Sequence, residues 1–238
     1  MINNSVIDSV SKDVVKFFQG EPFHHIVIDN FIGDNDLLKE ATEDIFNIPN
    51  DDYDFNEHHQ VQIKKRGLSD ITRCPESISK LINFFQSPEM ISYLESITGI
   101  TGLLSDPSLL GGGLHKMDSG GHLAIHADFN IHINTGYHRR VNALLYLNPE
   151  WKEEWGGHLE LWDGAMSKCW HKVQPLLNRL VVFRITDDAL HGHPDPLTCP
   201  DDISRYSLAF YYYTVDRPEK EKSPFHWALW QRRPDGGF

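Results

Sequence analysis

The sequence predicts a mainly β fold with flanking helices (α+β), and three observations lead there. From Leu110 to Thr214 the chain is a succession of short strand-like runs separated by Gly, Pro, Asn and Asp. Such spacing is the mark of a sandwich or barrel. The residues before Leu110 carry apolar side chains at helical intervals. A length of 238 residues suits one barrel or sandwich with helical decoration and a sizeable core. We therefore expect a single domain over 1–238, with helix-rich support over 1–109, a β-core over 110–215 and a tail over 216–238.

In chain order, a helix is expected through Ser11–Phe18, and 23-FHHIVIDNFI-32 alternates as a strand does after Pro22. The run 35-NDLLKEATEDIFNI-48 places Leu38, Ala41, Ile45 and Ile48 at helical spacing, with Asp34 or Asn35 as its cap. Residues 49–70 are polar and turn-rich, and predict a long loop that could act as a lid. Two helices fit 76-ESISKLINFFQ-86 and 88-PEMISYLESITG-99, the second opened by Pro88 and closed by Gly99. The β-region then offers 112–117, 122–130, 140–148, 158–163, 168–174, 179–185 and 204–214 as strands. The run 216-DRPEKEK-222 predicts a solvated tail, and Trp151, Trp155 and Trp162 predict packing residues.

Composition excludes several function classes. A formal net charge of −12 disfavours nucleic acid as a partner, because phosphate binding relies on clustered Lys and Arg. No apolar run approaches the roughly 20 residues a spanning helix needs, so no membrane partner is expected. The start of the chain lacks a basic segment followed by an apolar one, which makes a cytoplasmic location the default expectation. Cys74, Cys169 and Cys199 are widely spaced, with no CxxC pair, and predict reduced structural thiols rather than a disulfide framework or zinc ribbon.

The chemistry-bearing stretch is 122-HLAIHADFN-130. On a strand, His126 and Asp128 face the same way. An imidazole and a carboxylate so placed supply two ligands of a two-His, one-carboxylate site for ferrous iron. The third ligand has to come from elsewhere, and 190-LHGHP-194 offers His191 or His193. The rival run 193-HPD-195 is set aside because Pro194 and Pro196 would interrupt a strand. On 204-SRYSLAFYYYT-214, Arg205, Ser207, Ala209, Tyr211 and Tyr213 share one face, with Tyr206, Leu208, Phe210 and Tyr212 on the other. An arginine opening so hydrophobic a strand needs an anion, which a dicarboxylate co-substrate would supply.

Taken together, His126-Ala127-Asp128, the later histidine before Gly192 and the run Arg205-Tyr206-Ser207 resemble the iron(II)- and 2-oxoglutarate-dependent dioxygenases. The prolyl 4-hydroxylase-like branch is the nearer likeness. The runs 141-VNALLYLNPEW-151, 156-GGHLELW-162 and 204-SRYSLAFYYYT-214 carry it in the expected order, over roughly Leu110 to Val215. The resemblance implies a double-stranded β-helix (jelly roll, cupin-like). It further implies His126, Asp128 and His191 as the Fe(II) ligands and Arg205 as the residue that binds the far carboxylate of 2-oxoglutarate. Tyr146 would bond the same carboxylate, Ser207 would assist, and Leu159 would pack against the co-substrate. His115 and Asn142 would line the pocket.

Three protein ligands leave three coordination positions. In the chemistry that the resemblance implies, 2-oxoglutarate would take two of them and O2 the third, and decarboxylation to succinate and CO2 would be coupled to hydroxylation of a C–H bond. Ascorbate is an expected accessory reductant, and a prolyl residue or free proline is the expected substrate. The procollagen-type hydroxylases carry Lys where Arg205 stands, which speaks against a collagen-like substrate. Two alternatives remain: the same chemistry on another small molecule or peptide, and a cupin-like metal-binding module without turnover. Arg139 and Arg140, in the 131–140 stretch, have no role that the sequence yields.

Overall fold

A computed structural model describes residues 1–238. The N-terminal part holds the short α1 (Asn4–Ile7), α2 (Val10–Gln19), β1 (His25–Ile28), α3 (Asn35–Phe46), the hairpin β2 (Phe55–His59) and β3 (Gln62–Leu68), α4 (Glu76–Phe85) and α5 (Pro88–Thr98). There follow β4 (Gly113–Ala127), β5 (His138–Tyr146), β6 (Leu159–Trp162), β7 (Cys169–Val173), β8 (Leu180–Arg184), β9 (Leu190–His193), β10 (Ser204–Thr214) and β11 (Leu229–Trp230). The helices end where their chemistry says they should. Asp34 accepts from the Leu37 amide at 3.0 Å, and Ser87 caps α5 ahead of Pro88, while Gly99 closes it in the left-handed conformation.

The strands run in the order β1-β8-β5-β10-β4-β9-β6-β7, and every pairing is antiparallel. The sheet curls into a nearly closed double-stranded β-helix because β4, 15 residues long, serves two layers. Its first half pairs with β10 and β3, and its second half reaches β9 and β11. The helices cover the outer face. Phe85 of α4 stacks on Phe210 with ring centres 4.3 Å apart, and the Tyr212 hydroxyl donates to the Phe85 carbonyl at 2.6 Å. The alternation read on β10 holds as far as Tyr212; a register shift follows, and Tyr213 packs on His132 instead of lining the cavity. Tyr206, Leu208, Phe210 and Tyr212 join the helix-side core, while Arg205, Ser207, Ala209 and Tyr211 face the interior cavity.

Several expectations are corrected. Residues 49–70 are not a long loop: they contain the β2–β3 hairpin, which extends the sheet beside β4. The strands predicted at 112–117 and 122–130 are one strand that ends at Ala127, leaving Asp128 just beyond it. A register shift between Leu123 and His126 breaks the simple alternation. Leu123 therefore lines the cavity beside His126. The first predicted strand shrinks to β1, whose four residues pair with β8.

The tail over 216–222 is largely exposed, as expected, but it is anchored at Glu221 and Arg217. Glu221 sits among Arg140, Arg184 and Arg217, at 3.3, 2.5 and 3.7 Å, and β11 pairs with the end of β4 opposite His126 and Ala127. The mixed charges of 216-DRPEKEK-222 hid this, because two of the arginines that gather on Glu221, Arg140 and Arg184, lie far away in the chain and leave no local pattern.

Candidate metal and co-substrate site

The cavity inside the β-helix has a volume of about 500 Å³. Along one of its walls β4 and β9 lie side by side with His126 opposite His191. Gly192 makes that approach possible: a Cβ there would stand 2.6 Å from the Ala124 carbonyl oxygen. Each imidazole is oriented by a short bond to its own strand. The Nδ1 of His126 lies 2.9 Å from the Ala124 oxygen, and that of His191 lies 2.9 Å from the Ala189 oxygen. With Nδ1 donating to a carbonyl, each ring presents an unprotonated Nε2 inward.

Both Nε2 atoms face Asp128, His126 at 3.5 Å from Oδ1 and His191 at 3.4 Å from Oδ2. These separations are longer than a hydrogen bond and near the roughly 3 Å between cis ligands on a metal with bonds of about 2.1 Å. One donor atom from each of the three residues falls within 4.8 Å of the others, and no other such cluster exists in the chain. Two imidazoles and one carboxylate on one side of an open cavity fit the facial triad of a non-haem ferrous site.

Asp128 is held by a network that sequence reasoning missed. Its Oδ2 accepts from Asn142 Nδ2 at 2.7 Å and from Arg139 Nη2 at 3.0 Å, while Arg139 Nε donates to Asn142 Oδ1 at 2.9 Å. The fully buried Arg139 guanidinium lies 3.4 Å over the Tyr211 ring and 4.5 Å from the centre of Phe129. Burial alone would raise the Asp128 pKa. The charge of Arg139 and the facing His191 and His126 outweigh it and keep the carboxyl well below the usual range. The signal that could have found Arg139 is the acid itself, since a buried carboxylate requires a cation; which arginine supplies it depends on the bulge between Tyr212 and Tyr213 opposite β5.

Arg205 lies deeper on β10 and is buried. Its Nε donates to the Gly157 carbonyl at 2.8 Å and its Nη2 to the Tyr146 hydroxyl at 3.2 Å. Gly157 can have no side chain here, because a Cβ would come within 2.5 Å of Leu197 and 3.0 Å of the Arg205 side chain. No carboxylate of the protein lies within 4.0 Å of Arg205. Desolvation lowers its pKa against the pull of Tyr146, so the residue is a buried cation without an anion.

Of the remaining predicted residues, Leu159, Ser207, Asn142 and His115 line the cavity, and Tyr146 lies behind Arg205 without reaching the cavity wall. His115 Nε2 donates to the Gly111 carbonyl, 3.1 Å away. His193 also lines the cavity, but it stands opposite Leu123, outside the converging triad, and its Nδ1 has no partner. Trp151 and Trp155 pack edge to face beneath the Arg205 end, and Trp162 packs with Ile125 and Ala127. The aromatics at the mouth come instead from the C-terminal segment. Trp227 and Trp230 line the cavity, with Trp230 tilted over His126 at 4.8 Å between ring centres.

Residues 112–213 match the family model of the 2OG-Fe(II) oxygenase superfamily. Mouse (Mus musculus) prolyl 3-hydroxylase OGFOD1 is 24% identical over 204 residues, which is 83% of this chain and 34% of that protein. The chain thus spans about a third of the length of the curated relatives it matches. Among solved structures, a prolyl hydroxylase from Trichoplax adhaerens, in complex with a hypoxia inducible factor peptide fragment, superposes with a TM-score of 0.64 at 19% identity, covering 93% of this chain and 96% of that one. HygX from Streptomyces hygroscopicus, with nickel, 2-oxoglutarate and hygromycin B bound, gives a TM-score of 0.57 at 13% identity over 90% and 96% of the two chains. No helix is long and apolar enough to cross a membrane.

Proposed function

We propose, from a β-core that matches the family model of the 2OG-Fe(II) oxygenase superfamily, that this chain is an Fe(II)- and 2-oxoglutarate-dependent hydroxylase whose substrate is a prolyl residue or a proline-like compound. The observation that carries the reading is the pairing of a convergent two-His, one-carboxylate cluster with a buried, anion-free guanidinium in the same cavity. A metal-binding module without turnover would need the first but has no use for the second.

In this reading His126, Asp128 and His191 hold ferrous iron, which with 2-oxoglutarate and O2 supplies oxidative decarboxylation coupled to hydroxylation of a C–H bond. Arg205 receives the far carboxylate of 2-oxoglutarate, a planar fork matched to a planar anion. Tyr146 fixes the fork from behind by accepting from Nη2. Ser207 and Leu159 form polar and apolar walls beside it. Arg139 and Asn142 keep Asp128 ionised and oriented, so that it enters as a ligand rather than as a proton donor. Trp227 and Trp230 narrow the mouth and limit water. Ascorbate serves in this scheme as the reductant that keeps iron ferrous.

The prolyl assignment rests on the mouse relative and is taken from that protein's name. Incubation of the purified chain with Fe(II), ascorbate and 2-oxoglutarate is expected to yield succinate, and a prolyl peptide library is expected to show members heavier by one oxygen atom. Absence of succinate formation with every library member would overturn the enzyme reading. Succinate formation with oxygen incorporated only at non-prolyl sites would overturn the substrate class alone.

A further inference from the structure

Four cationic side chains line or approach the cavity, and three have a counterpart. Arg139 is matched by Asp128, and Lys116 donates to Asn50 at 2.8 Å with Asp118 at 3.7 Å. Arg205 is the receiver of the co-substrate carboxylate in the function proposed above. The fourth is Lys65. It lines the cavity half-buried, and its ammonium donates to no protein acceptor and has no carboxylate within 4.0 Å. Its nearest marked contact is the Phe55 ring, 5.9 Å from Nζ to centre.

Strand register fixes where this cation stands. Arg205 on β10 is opposite Met117 on β4, Met117 is opposite Lys65 on β3, and Lys65 is opposite Glu57 on β2. All four residues line the cavity, so Lys65 lies on the same transverse row as Arg205, two strands nearer the mouth. Lys65 faces inward because of a bulge. Lys64 takes a left-handed backbone (φ 55°), the pairing skips between Ile63 and Lys65, and Lys64 leans outward to donate to the Ser119 carbonyl at 2.6 Å. Glu57 turns its carboxylate to His59 at 2.8 Å and makes no ion pair with Lys65 within 4.0 Å. Desolvation brings the Lys65 pKa down to about 8 against the pull of Asp128 and Glu57, the mark of an ammonium turned into the cavity rather than toward bulk water.

We propose that Lys65 is a substrate-binding residue that selects for a carboxylate on the substrate, close to the carbon that is hydroxylated. This inference rests on the oxygenase reading of the site. The carboxylate has two possible sources, the free α-carboxylate of a proline-like amino acid or the side chain of an acidic residue flanking a prolyl residue.

The test is calorimetric titration of the Mn(II)-loaded protein with 2-oxoglutarate saturating, so that Arg205 is occupied and no turnover intervenes. One arm compares N-acetyl-L-proline with N-acetyl-L-prolinamide. A second compares N-acetyl-Asp-Pro-amide with N-acetyl-Asn-Pro-amide. The acid member of at least one pair is expected to bind tenfold or more tightly than its amide, and the arm that shows the preference identifies the source. Lys65→Met should abolish the preference and Lys65→Arg should retain it, with 2-oxoglutarate affinity unchanged in both.

Equal or absent binding of acid and amide in both arms, or a preference that survives in Lys65→Met, overturns the proposal. A loss of 2-oxoglutarate binding in Lys65→Met also overturns it and reassigns the lysine to the co-substrate. Failure of the wild-type protein to bind Mn(II) and 2-oxoglutarate at all would instead overturn the oxygenase reading.

Discussion

Asp128 and Arg205 sit in one cavity under opposite electrostatic conditions, and the difference separates their roles. Asp128 is an acid with two donors committed to one oxygen, whereas Arg205 is a cation with no acid. Removing Arg205 should therefore affect the co-substrate and spare the metal. Hydrogen bonds to charged groups contribute about 1.5–3 kcal/mol each, so Arg205→Ala is expected to weaken 2-oxoglutarate binding roughly 10- to 100-fold or more. Asn142→Ala should do the reverse. It removes a bond that orients a ligand, a change that typically costs roughly 10- to 100-fold in metal affinity. Calorimetry with Mn(II), then with 2-oxoglutarate, reads both; an Arg205 variant that loses Mn(II) as well would merge the two subsites. At this scale the triad and Arg205 were legible because each is a chemical necessity stated in sequence: a pair of ligand types one residue apart, and a charge in an apolar strand. Lys65 and Arg139 were not, because bulges decide which way they point, and a bulge is one extra residue with no composition of its own.

Elements show the same division. The helices over 35–48, 76–86 and 88–99 were readable from caps and apolar spacing, and β10 from its alternation. The β2–β3 hairpin and β11 were not, because β2 and β3 are polar with little periodicity, β11 is only two residues long, and the pairing of β3 and β11 depends on β4 being in place. The C-terminal segment is held over His126 by the Glu221 ion pairs, by the bonds of Asn130 to Ser223 and His226, and by the Gln231 amide bonded to the Ile125 carbonyl at 2.8 Å. Burial would raise the Glu221 pKa, but the hydrogen bond and charge of Arg184, aided by Arg140 and Arg217, pull it below the ordinary value. A carboxylate with a depressed folded-state pKa contributes stability that is fully present above its unfolded value of about 4.3 and is lost as pH falls through the folded value. The strap should therefore hold at neutral pH and loosen below about pH 4. In Glu221→Gln the protection of the Gln231 amide against hydrogen exchange should already be low at neutral pH and should no longer change as the solution is acidified. Equal protection in the variant and the wild type would show that β11 holds without the arginine cluster.

Across the whole molecule, helix packing and site chemistry occupy opposite faces of one layer. Phe210 and Tyr212 meet α4 while Ala209 and Tyr211 face the cavity, so the core and the site share β10 but not side chains. Contributions from residues without shared partners add. Phe85→Ala, which empties a fully buried site beneath Phe210, is expected to cost about 3–5 kcal/mol and lower the melting temperature accordingly. Ligand linkage adds a separate term. A ligand at a hundredfold its dissociation constant stabilises by about 2.7 kcal/mol, or roughly 5–10 °C for a chain of this size. Thermal melts in metal-free buffer, with Mn(II), and with Mn(II) plus 2-oxoglutarate should thus show two successive rises in the wild type. Phe85→Ala should start lower and show the same two rises. Arg205→Ala should start near the wild type and show the first rise with little of the second. If Phe85→Ala lost both increments, the outer helices would have to be holding the triad in place through the sheet, and the separation of the two faces would fail.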